Sequence, residues 1–280
     1  MQERKVRLVS DSSCDIYTLD GRGDFYVAPL KIITESKEYV DEKGLDVKAM
    51  ASELSKLKTK SSTSCPNVSD WLDRFGDADE VYCVTITSTL SGSYNSAINA
   101  KKEYESKYPG RRVAVIDSLS TGPEIVLILK KIDELLRADK TFDEINETVC
   151  DYTGRIGLIF MLRSMINLAN NGRVSHVVAK MAGILGICIV GKASDVGDLQ
   201  PLAKTRGERK TVESIFEQMK KNGYSGGRVS IAHCQNETAA KNLDSILRAS
   251  YPNVETEIHE TGGLCTYYAE VGGLLVGFEK

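Results

Sequence analysis

Short runs of β-branched and aliphatic residues alternate with helical periodicity along the first 120 residues of the chain. That rhythm predicts βαβ units and a parallel sheet. Val6–Val9, Val81–Ile86 and Arg112–Ile116 read as strands, and Phe25–Ile33 as one extended segment. Between them, Asp46–Leu57 predicts a helix with Met50, Leu54 and Leu57 on one face, followed by helices over Asn67–Phe75, Ser91–Tyr108 and Pro123–Arg137. Pro66 suits the opening of the second of these, because proline is tolerated where a helix has no use for the amide. After residue 140 the pattern predicts helices over Phe142–Arg155 and Leu158–Asn170, then a turn at Asn170-Asn171-Gly172. Strands return at Ile187–Val190, Leu199–Lys204, Arg228–His233 and Val254–Ile258, with helices over Glu208–Lys221 and Glu237–Ser250 between some of them. The expectation is α/β architecture in two units, 1–155 and 156–280, the first doubly wound.

Composition narrows the partners. With 280 residues, 41% of them hydrophobic and only 6 prolines, the chain affords a sizeable core and leaves little room for disorder. Lys and Arg number 36 against 39 Asp and Glu, so there is no basic field to hold a nucleic acid. The longest uncharged apolar stretch, Met181–Gly191, is fenced by Lys180 and Lys192 and falls short of the roughly 20 residues of a membrane helix. The amino terminus runs from Glu3, Arg4, Lys5 and Arg7 straight into a strand with no apolar leader, which predicts a cytoplasmic protein. Seven scattered cysteines without a C-x-x-C pair suit neither a disulfide framework nor a zinc site.

In an open parallel sheet, ligands bind beyond the carboxyl ends of the strands. The loops at those ends are rich in hydroxyls: Ser10-Asp11-Ser12-Ser13, Thr87 to Ser93, and Asp117 to Gly122, with Ser61-Ser62-Thr63-Ser64 as a fourth cluster. Any one cluster is accounted for by turns and helix caps. Four around one face form a neutral cradle that holds a carboxylate or phosphate with hydroxyls and backbone N–H groups. Other signals are weaker: Gly186 to Ala193 nears phosphate-loop spacing but lacks the magnesium-binding hydroxyl and consists of strand formers. His176, His233 and His259 have no metal or triad spacing, and Lys204 to Lys210 is a charged turn suited to an acidic or phosphorylated partner.

Taken in order, these segments resemble the DegV family, bacterial fatty-acid-binding proteins that include the binding subunit of fatty acid kinase. Ser10 to Asp15 is similar to the family's amino-terminal loop, Thr63-Ser64-Cys65-Pro66 to its T-S-x-P motif, and Leu90 to Ala97 to its S-G-T-x-x-S-A motif. Asp117-Ser118, Asn171-Gly172-Arg173-Val174-Ser175, Gly183 to Ile187 and Lys204 to Gly207 continue the series. The resemblance implies one long-chain fatty acid held between two domains, no metal or other cofactor, and a fatty acid kinase as partner. It implies that Thr63 and Ser91 grip the carboxylate, with Ser64, Gly92, Ser93 and Tyr268 as neighbours and Arg173 and Arg206 as partner or phosphate contacts. Leu158–Leu162 and Ile184–Ile189 would line the acyl tunnel. In the family's H-x-G-P-G-like segment, Tyr268 stands where a histidine reaches the head group, exchanging a protonatable side chain for one neutral at pH 7. The competing reading is an enzyme on a small anionic substrate, with Ser91 as nucleophile or phosphate site.

Overall fold

The computed structural model describes residues 4–57, 59–180 and 186–280. The chain opens with β1 (Val6–Asp11), a single 3-10 turn (Ser12–Cys14), β2 (Asp24–Ala28), β3 (Lys31–Ile33), β4 (Glu38–Val40), α1 (Val47–Leu54), β5 (Ser62–Ser64), α2 (Val68–Phe75), β6 (Glu80–Thr85), α3 (Ser93–Lys107), β7 (Arg112–Asp117), α4 (Pro123–Arg137) and α5 (Phe142–Thr153). It continues with β8 (Ile156–Leu162), α6 (Ile166–Asn170), α7 (His176–Lys180), β9 (Ile187–Ala193), β10 (Leu199–Arg206), α8 (Glu208–Lys221), β11 (Val229–His233), α9 (Glu237–Ser250), β12 (Thr256–Glu260), α10 (Gly263–Ala269) and β13 (Leu274–Glu279).

The alternation of the first half folds as expected into a fully parallel sheet in the order β2-β1-β6-β7. Strand order reverses between β1 and β6, so the crevice of this sheet opens above their carboxyl ends. A second, mixed sheet runs β10-β9-β8-β13-β11-β12, antiparallel except for the β11–β12 pair. A small antiparallel sheet, β4-β3-β5, pairs Ile32 with Thr63. Local sequence sets the helix starts: Asn67 and Asp70 form a reciprocal capping box for α2, Thr141 and Glu144 do the same for α5, and Pro123 opens α4. Helix α4 packs on β6 of the first sheet and on β8, β11 and β13 of the second, which is why Ile125 through Leu129 are buried around its whole circumference.

Three expectations from the sequence are corrected. Leu158–Asn170 is not one helix: β8 ends at Leu162 and only Ile166–Asn170 is helical. β8 lies between β13 and β9, with Leu158, Phe160 and Leu162 in one core and Ile159 and Met161 in another. A strand covered on both faces reads as a continuous apolar run, which periodicity cannot separate from a buried helix. Phe25–Ile33 is two strands in different sheets, broken where Pro29 has no N–H to give a ladder. The hydroxyl cluster Ser61 to Ser64, for which the sequence predicts no strand, carries strand β5 over Ser62–Ser64. The hydrophobic pattern predicts neither α10 nor β13, although β13 is a central strand of the larger sheet. Of the segment Gly183 to Ile187, residues 183–185 lie outside the described residues.

Candidate functional site

Strand β5 delivers Thr63 to the crevice, the loop after β6 delivers Leu90 and Ser91, and the turn after α6 delivers Arg173. Helix α10 brings Tyr268 to meet them. The Thr63 Oγ1 and Tyr268 Oη atoms are 2.7 Å apart, and Arg173 Nη2 donates toward Thr63 Oγ1 at 3.5 Å. The Arg173 guanidinium carbon sits 5.6 Å from the centre of the Tyr268 ring. Its own position is fixed by bonds to backbone carbonyls, Nε to Leu90 at 3.1 Å and Nη1 to Asn171 at 3.0 Å. Burial raises the Tyr268 hydroxyl above its ordinary pKa, against the pull of Thr63 and Arg173, so the phenol stays neutral and able to donate.

Behind Ser91 stands a carboxylate. Asp11, at the end of β1, is completely buried and accepts from Ile86 N at 2.9 Å, from the Ser93 hydroxyl at 2.5 Å, and from the Ser13 hydroxyl and amide. Burial pushes this carboxyl upward and the donated hydrogen bonds pull it back. Asp11 thereby joins the ends of β1 and β6 to the first turn of α3. Ser91 Oγ accepts from Ser93 N at 3.3 Å, so the turn that carries Ser91 is held from both sides. Gly92 sits between them, where a β-carbon would meet the Cys65 sulfur in a tight contact at 3.2 Å.

Tyr267, next to Tyr268, anchors α10 to the same region. Its hydroxyl meets Ser61 Oγ at 2.8 Å and receives Asn171 Nδ2 at 3.0 Å, and its carbonyl receives Asn167 Nδ2 at 2.8 Å. The amino end of α10 is held by Asp41, which accepts from Gly263 N and Leu264 N at 2.7 and 2.9 Å.

A cavity lies between the parallel sheet and one face of the larger one. Thr63, Ser91, Arg173 and Tyr268 line it together with Leu30, Ile86, Leu158, Phe160, Leu162, Leu199 and Leu275. The alternate residues Leu158, Phe160 and Leu162 show one face of β8 toward it, while Ile159 and Met161 face the other core. Ile184 lies outside the described residues, and Ile189 belongs to the core cluster around Phe160. Ser64, Gly92 and Ser93 do not line the cavity. Ser93 is a correction: its hydroxyl is buried and committed to Asp11, so it supports the turn that carries Ser91 from behind. Arg206 is exposed at the end of β10, away from the cavity lining.

The cradle is not neutral as the hydroxyl clusters suggested, since Arg173 brings a permanent charge to it. Asp11 stands in plain view between serines, but no sequence signal says which strand-end acid is buried. Among the described residues, no basic side chain bonds the Ser91 hydroxyl and no group of three His, Cys, Asp or Glu is placed to hold a metal. No helix of the described residues is long and apolar enough to cross a membrane. Burial lowers His259 to about 4, so it is neutral, and it does not line the cavity.

A family model described as "Uncharacterised protein, DegV family" matches residues 5–280. The chain belongs to the DegV family. A DegV domain-containing protein of Streptococcus pneumoniae is 37% identical over 276 residues, 98% of either chain. Among solved structures, a DegV family protein from Eubacterium eligens loaded with heptadecanoic acid is 40% identical, with a TM-score of 0.96 over 98% of this chain and 99% of that one. The Streptococcus pneumoniae fatty acid kinase B3 protein, loaded with linoleic acid, is 37% identical with the same TM-score and coverage. The mixed α/β fold of this DegV chain is therefore shared along nearly its whole length.

Proposed function

We propose that the chain binds one long-chain fatty acid between its two units, 1–155 and 156–280, and presents the carboxylate to a fatty acid kinase. The observation that carries this reading is the cluster of Thr63, Tyr268 and Arg173 on the wall of a mainly apolar cavity. A buried carboxylate is costly unless paired, and Arg173 with the hydroxyls of Thr63, Ser91 and Tyr268 offers both charge and donors. The aliphatic wall adds roughly 0.8 kcal/mol per buried CH₂ before ordering costs. Two similar proteins solved with fatty acids support the ligand class, and the kinase name of one supports the partner.

In this reading the chain is a carrier and the partner supplies the chemistry; Ser91, with no base on its hydroxyl, binds rather than attacks. Arg206 is free to meet the partner. All seven cysteines are free thiols, which suits a reducing compartment such as the cytoplasm.

Titration of a fluorescent fatty acid tests the clamp. Thr63→Ala and Ser91→Ala are each expected to weaken binding by about 0.5–3 kcal/mol, the range for losing a hydrogen bond to a charged group. Unchanged affinity in both variants, with thermal stability retained, would place the carboxylate elsewhere.

Tyr268 gives a second test. Because Arg173 already supplies the positive charge that an acyl phosphate needs, Tyr268→His is expected to keep fatty acid affinity within about tenfold and to change kinase-coupled turnover by less than about threefold. A much larger rise, measured at saturating lipid, would show that charge at position 268 limits phosphoryl transfer.

A further inference from the structure

Besides Thr63, Ser91, Arg173 and Tyr268, two polar side chains interrupt the aliphatic wall of the cavity, Thr121 and Cys265. Their hydrogen-bonding capacity is poorly used. The Thr121 hydroxyl reaches only the Ser13 carbonyl and the Cys265 sulfur, each at 3.5 Å, and the first is beyond the ordinary length of an O–H···O bond. The Cys265 sulfur lies 3.5 Å from the same Ser13 carbonyl.

Behind them is an orphaned acid. Asp15 is 6% exposed; its Oδ1 accepts from Gly262 N at 2.7 Å, while its buried Oδ2 has no partner among the described residues. A β-carbon built on Gly122 would meet that Oδ2 at 3.1 Å, the Leu275 side chain at 3.3 Å and the Cys265 sulfur at 3.9 Å. The unpartnered oxygen thus faces the same stretch of wall as Cys265 and Leu275. Burial holds the Asp15 carboxyl well above the usual carboxylate range, against the pull of the Gly262 amide and the Cys265 thiol. A wall meant only for plain hydrocarbon gains nothing from such groups, since an unpaired buried polar atom is destabilising.

We infer that the cavity is adapted to a long-chain fatty acid bearing a hydroxyl part-way along its chain, which bonds to Thr121 Oγ1 beside Cys265. The inference rests on the lipid reading above and narrows it to hydroxylated acyl chains. In a purely aliphatic pocket a mid-chain hydroxyl is a penalty at every position. Here one position escapes it, because Thr121 both donates and accepts.

The test is displacement of a fluorescent fatty acid by stearate and by a series of hydroxystearates with the hydroxyl at successive carbons. With the native protein, one positional isomer is expected to bind at least about fivefold tighter than its neighbours, the worth of one neutral hydrogen bond. In Thr121→Val that isomer should lose its advantage, judged as its affinity ratio to stearate within the same protein, so that any effect of the substitution on stearate divides out. A flat positional profile in the native protein, or the same ratio in Thr121→Val and in Thr121→Ala as in the native protein, would overturn the inference. Failure of stearate itself to displace the probe would overturn the lipid reading and this one with it, which separates the two failures.

Discussion

Replacing Arg173 with methionine is expected to weaken fatty acid binding by about 2–4 kcal/mol, roughly 30- to 1000-fold. Among the described residues Arg173 is the one cationic side chain lining the cavity, and Nη2 already points at Thr63 Oγ1. Removing it strands a carboxylate in an aliphatic surround with only neutral donors. Much of the loss is the penalty of that unpaired charge rather than the worth of one bond. Because the guanidinium also bonds the Leu90 and Asn171 carbonyls, Arg173→Lys is the companion variant. It keeps the charge but not the fork, and an intermediate affinity is expected. Isothermal titration with a single fatty acid reads all three proteins. Equal affinity in the native and methionine forms would remove Arg173 from the head-group site.

The second large effect falls on stability. Asp11→Ala is expected to cost about 2–4 kcal/mol, because the Ile86 amide and two serine hydroxyls lose their acceptor inside a fully buried site. The hydroxyls can rotate toward other acceptors, but the amide cannot. For a chain of this size that corresponds to a Tm lower by about 4–16 °C. Asp11→Asn retains one acceptor oxygen and is expected to fall between the two. A melting temperature unchanged in Asp11→Ala would mean that the β1, β6 and α3 junction does not depend on this carboxylate.

The parallel half of the fold is legible in the sequence because its signals are local. Strands β1, β6 and β7 are short β-branched runs between amphipathic helices, and α4, α8 and α9 begin and end where the periodicity places them. The larger sheet is harder, since β8 is apolar on both faces and offers no period to read. The two-strand division at Pro29 shows a different limit: a single residue without an N–H redirects the chain to another sheet, which composition alone does not announce. At the site, Thr63, Ser91 and Tyr268 emerge from ordered motifs, and all three line the cavity. The sequence suggests a partner or phosphate contact for Arg173, yet its side chain reaches inward to Thr63. Asp11 and Asp15 are visible there only as members of polar loops, because burial is a tertiary property. Thr121 and Cys265 lie 144 positions apart and meet only when α10 docks on the 3-10 turn after β1.

The most direct test of the account is denaturing mass spectrometry of an organic extract of the purified native protein, quantified against protein. The account predicts a long-chain fatty acid at one molecule per chain. A folded preparation whose extract is empty, and which takes up no fluorescent fatty acid, would contradict it.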